Sequence, residues 1–256
     1  MSLQKPDSSL KLRDFACLVL KNVDYESQLR AIKALLSVHQ QIACARSVKI
    51  VQIEEDICKL RGINRMHAEH DRIDLCHESV YEDAAHSMAA IGMLAPFIET
   101  VFGQVFESVK QGYEGKAPPS PDHRRWKAEE AKQWNCRWFC KKDGGMENDV
   151  VRGILELSRV TGLLPYLPPE LRPILNAVFG YRNNMLHNGF EWPLAVRDKF
   201  RRRTESEWPS DWFSWAQSGN APWVCYMTDA LINECLTYID QIIDAIGQFV
   251  TEKMPS

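Results

Sequence analysis

Between Leu29 and Leu60, the residues Leu29, Ile32, Leu36, His39, Ala43, Arg46, Ile50, Ile53, Ile57 and Leu60 recur at spacings that alternate strictly between three and four. That is the period of a helix that keeps one seam against a partner helix. A strand sends alternate residues to opposite faces and cannot produce it. The pattern predicts one helix from a cap at Asp24 to about Arg61, roughly 57 Å long at 1.5 Å per residue. Gly62-Ile63-Asn64 supplies the stop. His39 and Arg46 interrupt the seam with polar groups, a device that sets register or partner choice.

A second long helix is predicted from about Met66 to Gln111, bent at Pro96. Its seam is Val80, Ala84, Met88, Ile91, Ala95, Ile98, Phe102, Val105 and Val109, and the two helices are expected to form an antiparallel hairpin. GYEGKAPPSPDH (Gly112 to His123) reads as a linker. A short Trp-rich helix follows, broken at Gly144-Gly145. Asn148 then caps a helix to about Thr161, and Pro168-Pro169 opens another that runs to about Leu186 and stops at Asn188-Gly189. Glu191 to Trp223 reads as irregular. A last helix fills about Val224 to Val250, with Ile232, Cys235, Ile239, Ile242, Ile246 and Phe249 on its seam. The expected fold is all-α. Residues 1–112 form a long, coiled-coil-like hairpin whose second helix is shared with a bundle. Residues 113–147 are linker and basic Trp-rich helix, and 148–256 form the helical bundle.

Apolar residues make up 45% of the chain and charged residues 25%, enough for a hydrophobic core. The longest apolar run, Met88 to Ile98, has 11 residues, short of the roughly 20 that span a bilayer. The opening MSLQKPDSSLKLRDF lacks an apolar leader core. No membrane association and a cytoplasmic location are expected. Eight scattered cysteines without CxxC spacing read as reduced packing residues.

The net charge of −3 hides an uneven distribution. Val51 to Asp83 carries nine acidic and four basic residues, whereas His123 to Lys142 carries seven basic and two acidic ones. Val196 to Arg203 adds five basic residues against one aspartate. Such segregation suits oriented binding to an anion, and solvated helix faces also produce it.

The most informative stretch is YRNNMLHNGF, Tyr181 to Phe190. With Leu171, Leu175, Val178 and Met185 as the buried stripe, Arg182 falls inside that stripe at 100° per residue. A guanidinium stays charged, and burying it unpaired costs several kcal/mol. Arg182 must therefore meet a carboxylate, backbone carbonyls or a visiting anion. Asn183 and His187 stand four apart on one face. Arg182 and His187 are about 140° apart on a regular helix. They converge only if the helix unwinds at His187, as Asn188-Gly189 would permit, or if a second subunit contributes.

An Arg-Asn pair followed by a His after four intervening residues, at the exit of an apolar helix, resembles the Arg-x4–6-His motif of HEPN domains. The resemblance covers the motif and a compatible helical setting from about Asn148 to Val250. It implies a HEPN-like bundle that dimerises, so that two motifs line one cleft. It further implies a metal-independent endoribonuclease, or an RNA-binding relative, without cofactor, of the kind found in toxin–antitoxin and phage-defence systems. In that reading His187 moves a proton during attack by the RNA 2′-hydroxyl. Arg182 binds the phosphate and stabilises its charge, and Asn183 orients the His or the phosphate. The alternative is that Arg182 bridges to an acidic residue such as Glu156 or Glu234, while His187 is a cation favoured at a helix C-terminus. The chain would then be a non-catalytic scaffold or interaction module, with the N-terminal helices docking another protein.

Arg197, Lys199, Arg201, Arg202 and Arg203 follow the motif and are candidate RNA-backbone contacts. Trp126, Trp134, Trp138 and Phe139, interleaved with cations, suit either base stacking or a packed helical stripe. Cys136 and Cys140 stand four apart without a second ligand pair, so no metal site is expected.

Overall fold

The computed structural model describes residues 11–127, 131–219 and 221–254. The protein is all-α in character, with two small antiparallel hairpins as its only strands among the described residues. Helices α1 (Leu12–Ala16), α2 (Tyr25–Ile57), α3 (Gly62–Gly112), α4 (Arg124–Lys127), α5 (Val150–Thr161), α6 (Leu171–Asn188), α7 (Leu194–Ser206) and α8 (Asp229–Lys253) follow one another along the chain. Strands β1 (Trp138–Cys140) and β2 (Met146–Asn148) pair between α4 and α5, and β3 (Phe213–Ser218) and β4 (Ala221–Met227) pair between α7 and α8. The long N-terminal helices expected from the seam are present, and Pro96 lies inside α3 without ending it. α3 holds an 18-residue stretch of mean hydropathy 1.5, 61% of it buried, as in the core helix of a globular unit.

The chain forms two compact units, and α2, α3, α6 and α8 each have residues in both. One unit comprises Met1–Gln28, Ala95–Phe179 and Cys235–Ser256. Its core contains Ile98, Phe102 and Phe106 of α3, Ile154 and Leu157 of α5, and Ile239, Ile243, Ile246 and Phe249 of α8. The Asp149 carboxylate accepts a hydrogen bond from the Arg152 amide at 2.9 Å and caps α5, one residue beyond the expected Asn148.

The stretch expected to be a Trp-rich helix is instead a short α4, a 3-10 turn over Ala131–Trp134 and the β1–β2 hairpin. Trp138 pairs with Asn148 and Cys140 with Met146. The hairpin turns at Gly144, whose φ of +97° is one that glycine adopts without steric cost. β1 and the residues leading into it lie directly on α5: a Cβ at Gly153 would collide with the Cys136 carbonyl oxygen and stand 3.0 Å from that of Trp138. Beneath the hairpin, the fully buried Arg125 guanidinium donates to a Glu156 oxygen at 2.8 Å and to the carbonyls of Trp138, at 2.5 Å, and Gln133. The same carboxylate oxygen accepts from the Cys140 amide at 2.8 Å. Glu156, suggested by sequence as a partner for Arg182, is thus committed to Arg125.

The other unit comprises Leu29–Leu94 and Gly180–Glu234. Here α2 and the first part of α3 are antiparallel, and the polar interruptions of the seam mark the register. His39 stacks on His86, Arg46 pairs with Glu82 and Asp83, and Glu54 pairs with Arg72. Advancing along α2 moves the partner back along α3.

The stretch read as irregular, Glu191 to Trp223, contains α7, all of β3 and the start of β4. Three of its five tryptophans, Trp192, Trp208 and Trp212, are core. Tyr181, Trp192, Phe200, Trp208 and Phe213 are all buried, and neighbouring ring centroids lie between 5.1 Å for Trp192–Phe200 and 6.2 Å for Tyr181–Phe200. Offset and edge-on packing of this kind adds to the burial of the rings.

Candidate functional site

α6 is helical from Leu171 through Asn188, so it does not unwind at His187. The Gly189 amide closes on the Met185 carbonyl at 2.9 Å, and Gly189 takes the left-handed conformation, φ +68°. That is a regular C-terminal cap. The Asn184 and Asn188 side-chain amides each donate to a carbonyl four residues earlier, Gly180 and Asn184, at 2.9 Å. Arg182 and His187 therefore stay about 140° apart around one axis. Of the two routes to convergence, only a second subunit is left.

The buried face of α6 includes Ile174, Ala177 and Tyr181 as well as Leu171, Leu175, Val178 and Met185. These added residues rotate the stripe away from Arg182, which is half-buried rather than inside the core. Tyr181 takes the buried place beside it, and its hydroxyl donates to the Cys225 carbonyl at 3.0 Å. Asn183 and His187 are exposed. The Asn183 side-chain oxygen accepts from Arg182 Nε at 3.4 Å and Nη2 at 3.3 Å.

The basic cluster is on α7, a helix rather than a loop. Arg197 Nη1 donates to the Pro222 carbonyl at 2.6 Å and to that of Trp223 at 3.4 Å, tying α7 to the start of β4. Arg203 pairs with Glu207 at 3.0 Å and lies over the Trp208 ring. Arg201 reaches Glu205 at 3.5 Å. Lys199 and Arg202 are exposed and present charge to solvent. Arg197 and Arg203, by contrast, hold the local fold.

Sequence reasoning missed a cluster that directly follows the motif. The Tyr81 hydroxyl donates to Glu191 Oε1 at 2.5 Å. The Tyr81 ring meets Trp223 edge-on at 5.2 Å and Phe190 at 6.3 Å, while His77 lies edge-on to Trp223 at 5.7 Å. Hydrogen bonds from Tyr81 and from Trp223, with the Arg197 charge nearby, hold the Glu191 carboxyl below the usual carboxylate range. The only sequence hint was the aromatic-acidic pair Phe190-Glu191 just past the helix exit; Tyr81 is 110 residues away.

All eight cysteines are free thiols. Cys136 and Cys140 are buried, and burial pushes the Cys136 thiol up to about 12. Among the described residues, no three His, Cys, Asp or Glu side chains are grouped so as to hold a metal ion. No protein-family model matches the chain, and neither a curated protein nor a solved structure shows significant similarity to it.

Proposed function

We propose that the protein is a metal-independent endoribonuclease of HEPN type, working as a homodimer, in a toxin–antitoxin or phage-defence setting. The observation that carries this reading is the placing of Arg182, Asn183 and His187 on the last two turns of α6. Asn183 and His187 are exposed, and the Arg182 guanidinium is held by the Asn183 amide oxygen. A guanidinium fixed in this way is a preorganised phosphate clamp, with less rotamer freedom to lose on binding. His187 supplies the proton transfer, accepting from the 2′-hydroxyl or donating to the leaving 5′-oxygen. The attacking 2′-oxygen bonds to phosphorus as the P–O5′ bond breaks, leaving a 2′,3′-cyclic phosphate. Because α6 is unbroken, the Arg182 of one copy acts with the His187 of the other. Lys199 and Arg202 of α7 add backbone contacts.

Purified protein in EDTA degrades single-stranded RNA under this reading, and Arg182→Ala and His187→Ala each abolish cleavage while leaving the helical circular-dichroism signal intact. Cleavage surviving both changes ends the assignment. The second reading, a helical scaffold, is favoured by Leu35, Val38 and Ile42 of α2, which are 55%, 52% and 54% exposed. A scaffold neither cuts RNA nor is toxic when expressed.

A further inference from the structure

Glu191, Tyr81 and Trp223 are not used by the chemistry above, yet they stand at the exit of the helix that carries it. Phe190 is three positions beyond His187, so their Cα atoms lie within about 11 Å of each other. Phe190 and Trp223 both flank Tyr81. All three rings are half-buried rather than packed away, and Glu191, bonded to Tyr81, is exposed. Half-exposed aromatic rings beside a phosphate-binding motif are the usual means of holding unstacked bases of single-stranded RNA.

We infer that this cluster is the base-reading pocket of the RNA site, and that it selects guanine. The inference rests on the ribonuclease reading of Arg182, Asn183 and His187. A carboxylate accepts hydrogen bonds and donates none, and its two oxygens offer about four lone-pair positions. Tyr81 occupies one of these, on Oε1, and Trp223 donates to another, which leaves about two for a base edge. Guanine is the one common RNA base whose Watson–Crick edge places two donors side by side, N1–H and the 2-amino group, matching two carboxylate oxygens. Uracil sets a single N–H between two carbonyls that repel the carboxylate. Adenine and cytosine set one amino group beside a ring-nitrogen acceptor. The depressed pKa of Glu191 keeps it ionised at neutral pH, as this contact requires. Arg197 is then a positioning residue: its bonds to the Pro222 and Trp223 carbonyls fix the strand that presents the Trp223 ring.

The test measures binding and cutting separately. Quenching of tryptophan emission is followed on titrating the protein with GMP, AMP, CMP and UMP, and with the trinucleotides UGU, UIU and UAU, where I is inosine, lacking the 2-amino group. A well-formed bidentate contact discriminates between bases by about 1–3 kcal/mol, roughly five- to 150-fold. UGU is expected to bind about tenfold or more tighter than UAU, with UIU between them. Glu191→Gln shrinks that preference to less than about twofold. Tyr81→Phe, which keeps the ring and removes the hydroxyl, reduces it in part.

Equal binding of UGU and UAU, or a preference unchanged in Glu191→Gln, overturns the inference. GMP binding as tightly as UGU assigns the pocket to free nucleotides and overturns its RNA role. Guanine-selective binding of UGU without any RNA cleavage upholds the pocket and ends the nuclease reading. Cleavage indifferent to guanosine, in the wild type, does the reverse.

Discussion

The imidazoles of His39 and His86 lie face to face, with ring centroids 3.6 Å apart and planes 6° from parallel. They join α2 to α3 in the middle of the helical hairpin. His86 is 8% exposed and its Nε2 is buried without a hydrogen-bond partner. Burial and the neighbouring His39 push His86 down to about 4, with Asp229 opposing; burial lowers His39 too, against Asp83 and Asp229 and with Arg46.

This stack makes the hairpin acid-sensitive. A histidine whose pKa is lowered on folding takes up its proton more readily in the unfolded chain. Stability is therefore full above about 6.5 and falls as pH drops from there toward about 4. The melting temperature at pH 5 should fall below that at pH 7, and the difference should narrow in His86→Phe. An identical pH dependence in the two proteins would show that the stack does not titrate in this way.

Arg46 sits in the seam with its side chain 12% exposed, and it reaches both Glu82 and Asp83. Arg46→Ala leaves the adjacent carboxylates of Glu82 and Asp83, both on α3, without the cation that bridges them. The expected loss is about 1.5–3 kcal/mol, the usual worth of hydrogen bonds to charged groups. Urea unfolding measures it. Adding Glu82→Gln and Asp83→Asn to the Ala variant should recover part of the loss, because those changes relieve the repulsion.

The buried Arg125–Glu156 pair anchors the β1–β2 hairpin. Removing one member leaves the other charge uncompensated, at a cost of about 3–5 kcal/mol. Glu156→Gln and Arg125→Met should each lower the unfolding midpoint by that amount, whereas the double change should cost less than the two singles combined. Strict additivity in the double-mutant cycle would show that the two side chains do not act together.

Gly153 is where the backbone leading into the hairpin touches α5, with the Cys136 carbonyl oxygen in the place a Cβ would take. Gly153→Ala forces the backbones apart, an overpacking that costs about 1–3 kcal/mol or more. In an exposed helix interior the same substitution stabilises by up to about 1 kcal/mol. The sign of the change in thermal unfolding is thus the readout.

The helices were legible in the sequence because each buries a stripe long enough for three-four spacing to repeat, as in Leu29 to Ile57 and Val80 to Val109. The hairpins were not. β1 and β2 have three residues each, too few for alternation to show, and β3 was obscured by aromatics that read as irregular. Arg182 was assigned to the buried stripe because the aliphatic residues alone centre that stripe near it. Tyr181, amphipathic and tied to the Cys225 carbonyl, moves the centre away. The Tyr81–Glu191 contact joins residues with no local pattern in common, so only tertiary structure brings it into view.

The central claim is that one copy's Arg182 works with another copy's His187, and mixing two inactive variants tests it most directly. Arg182→Ala and His187→Ala proteins are unfolded together and refolded at equal concentration in EDTA, then assayed on single-stranded RNA. In a two-fold dimer each mixed pair rebuilds one intact site and loses the other, so random assortment restores about one quarter of wild-type cleavage. A mixture as inactive as either variant alone, alongside active wild-type protein carried through the same refolding, contradicts the shared site.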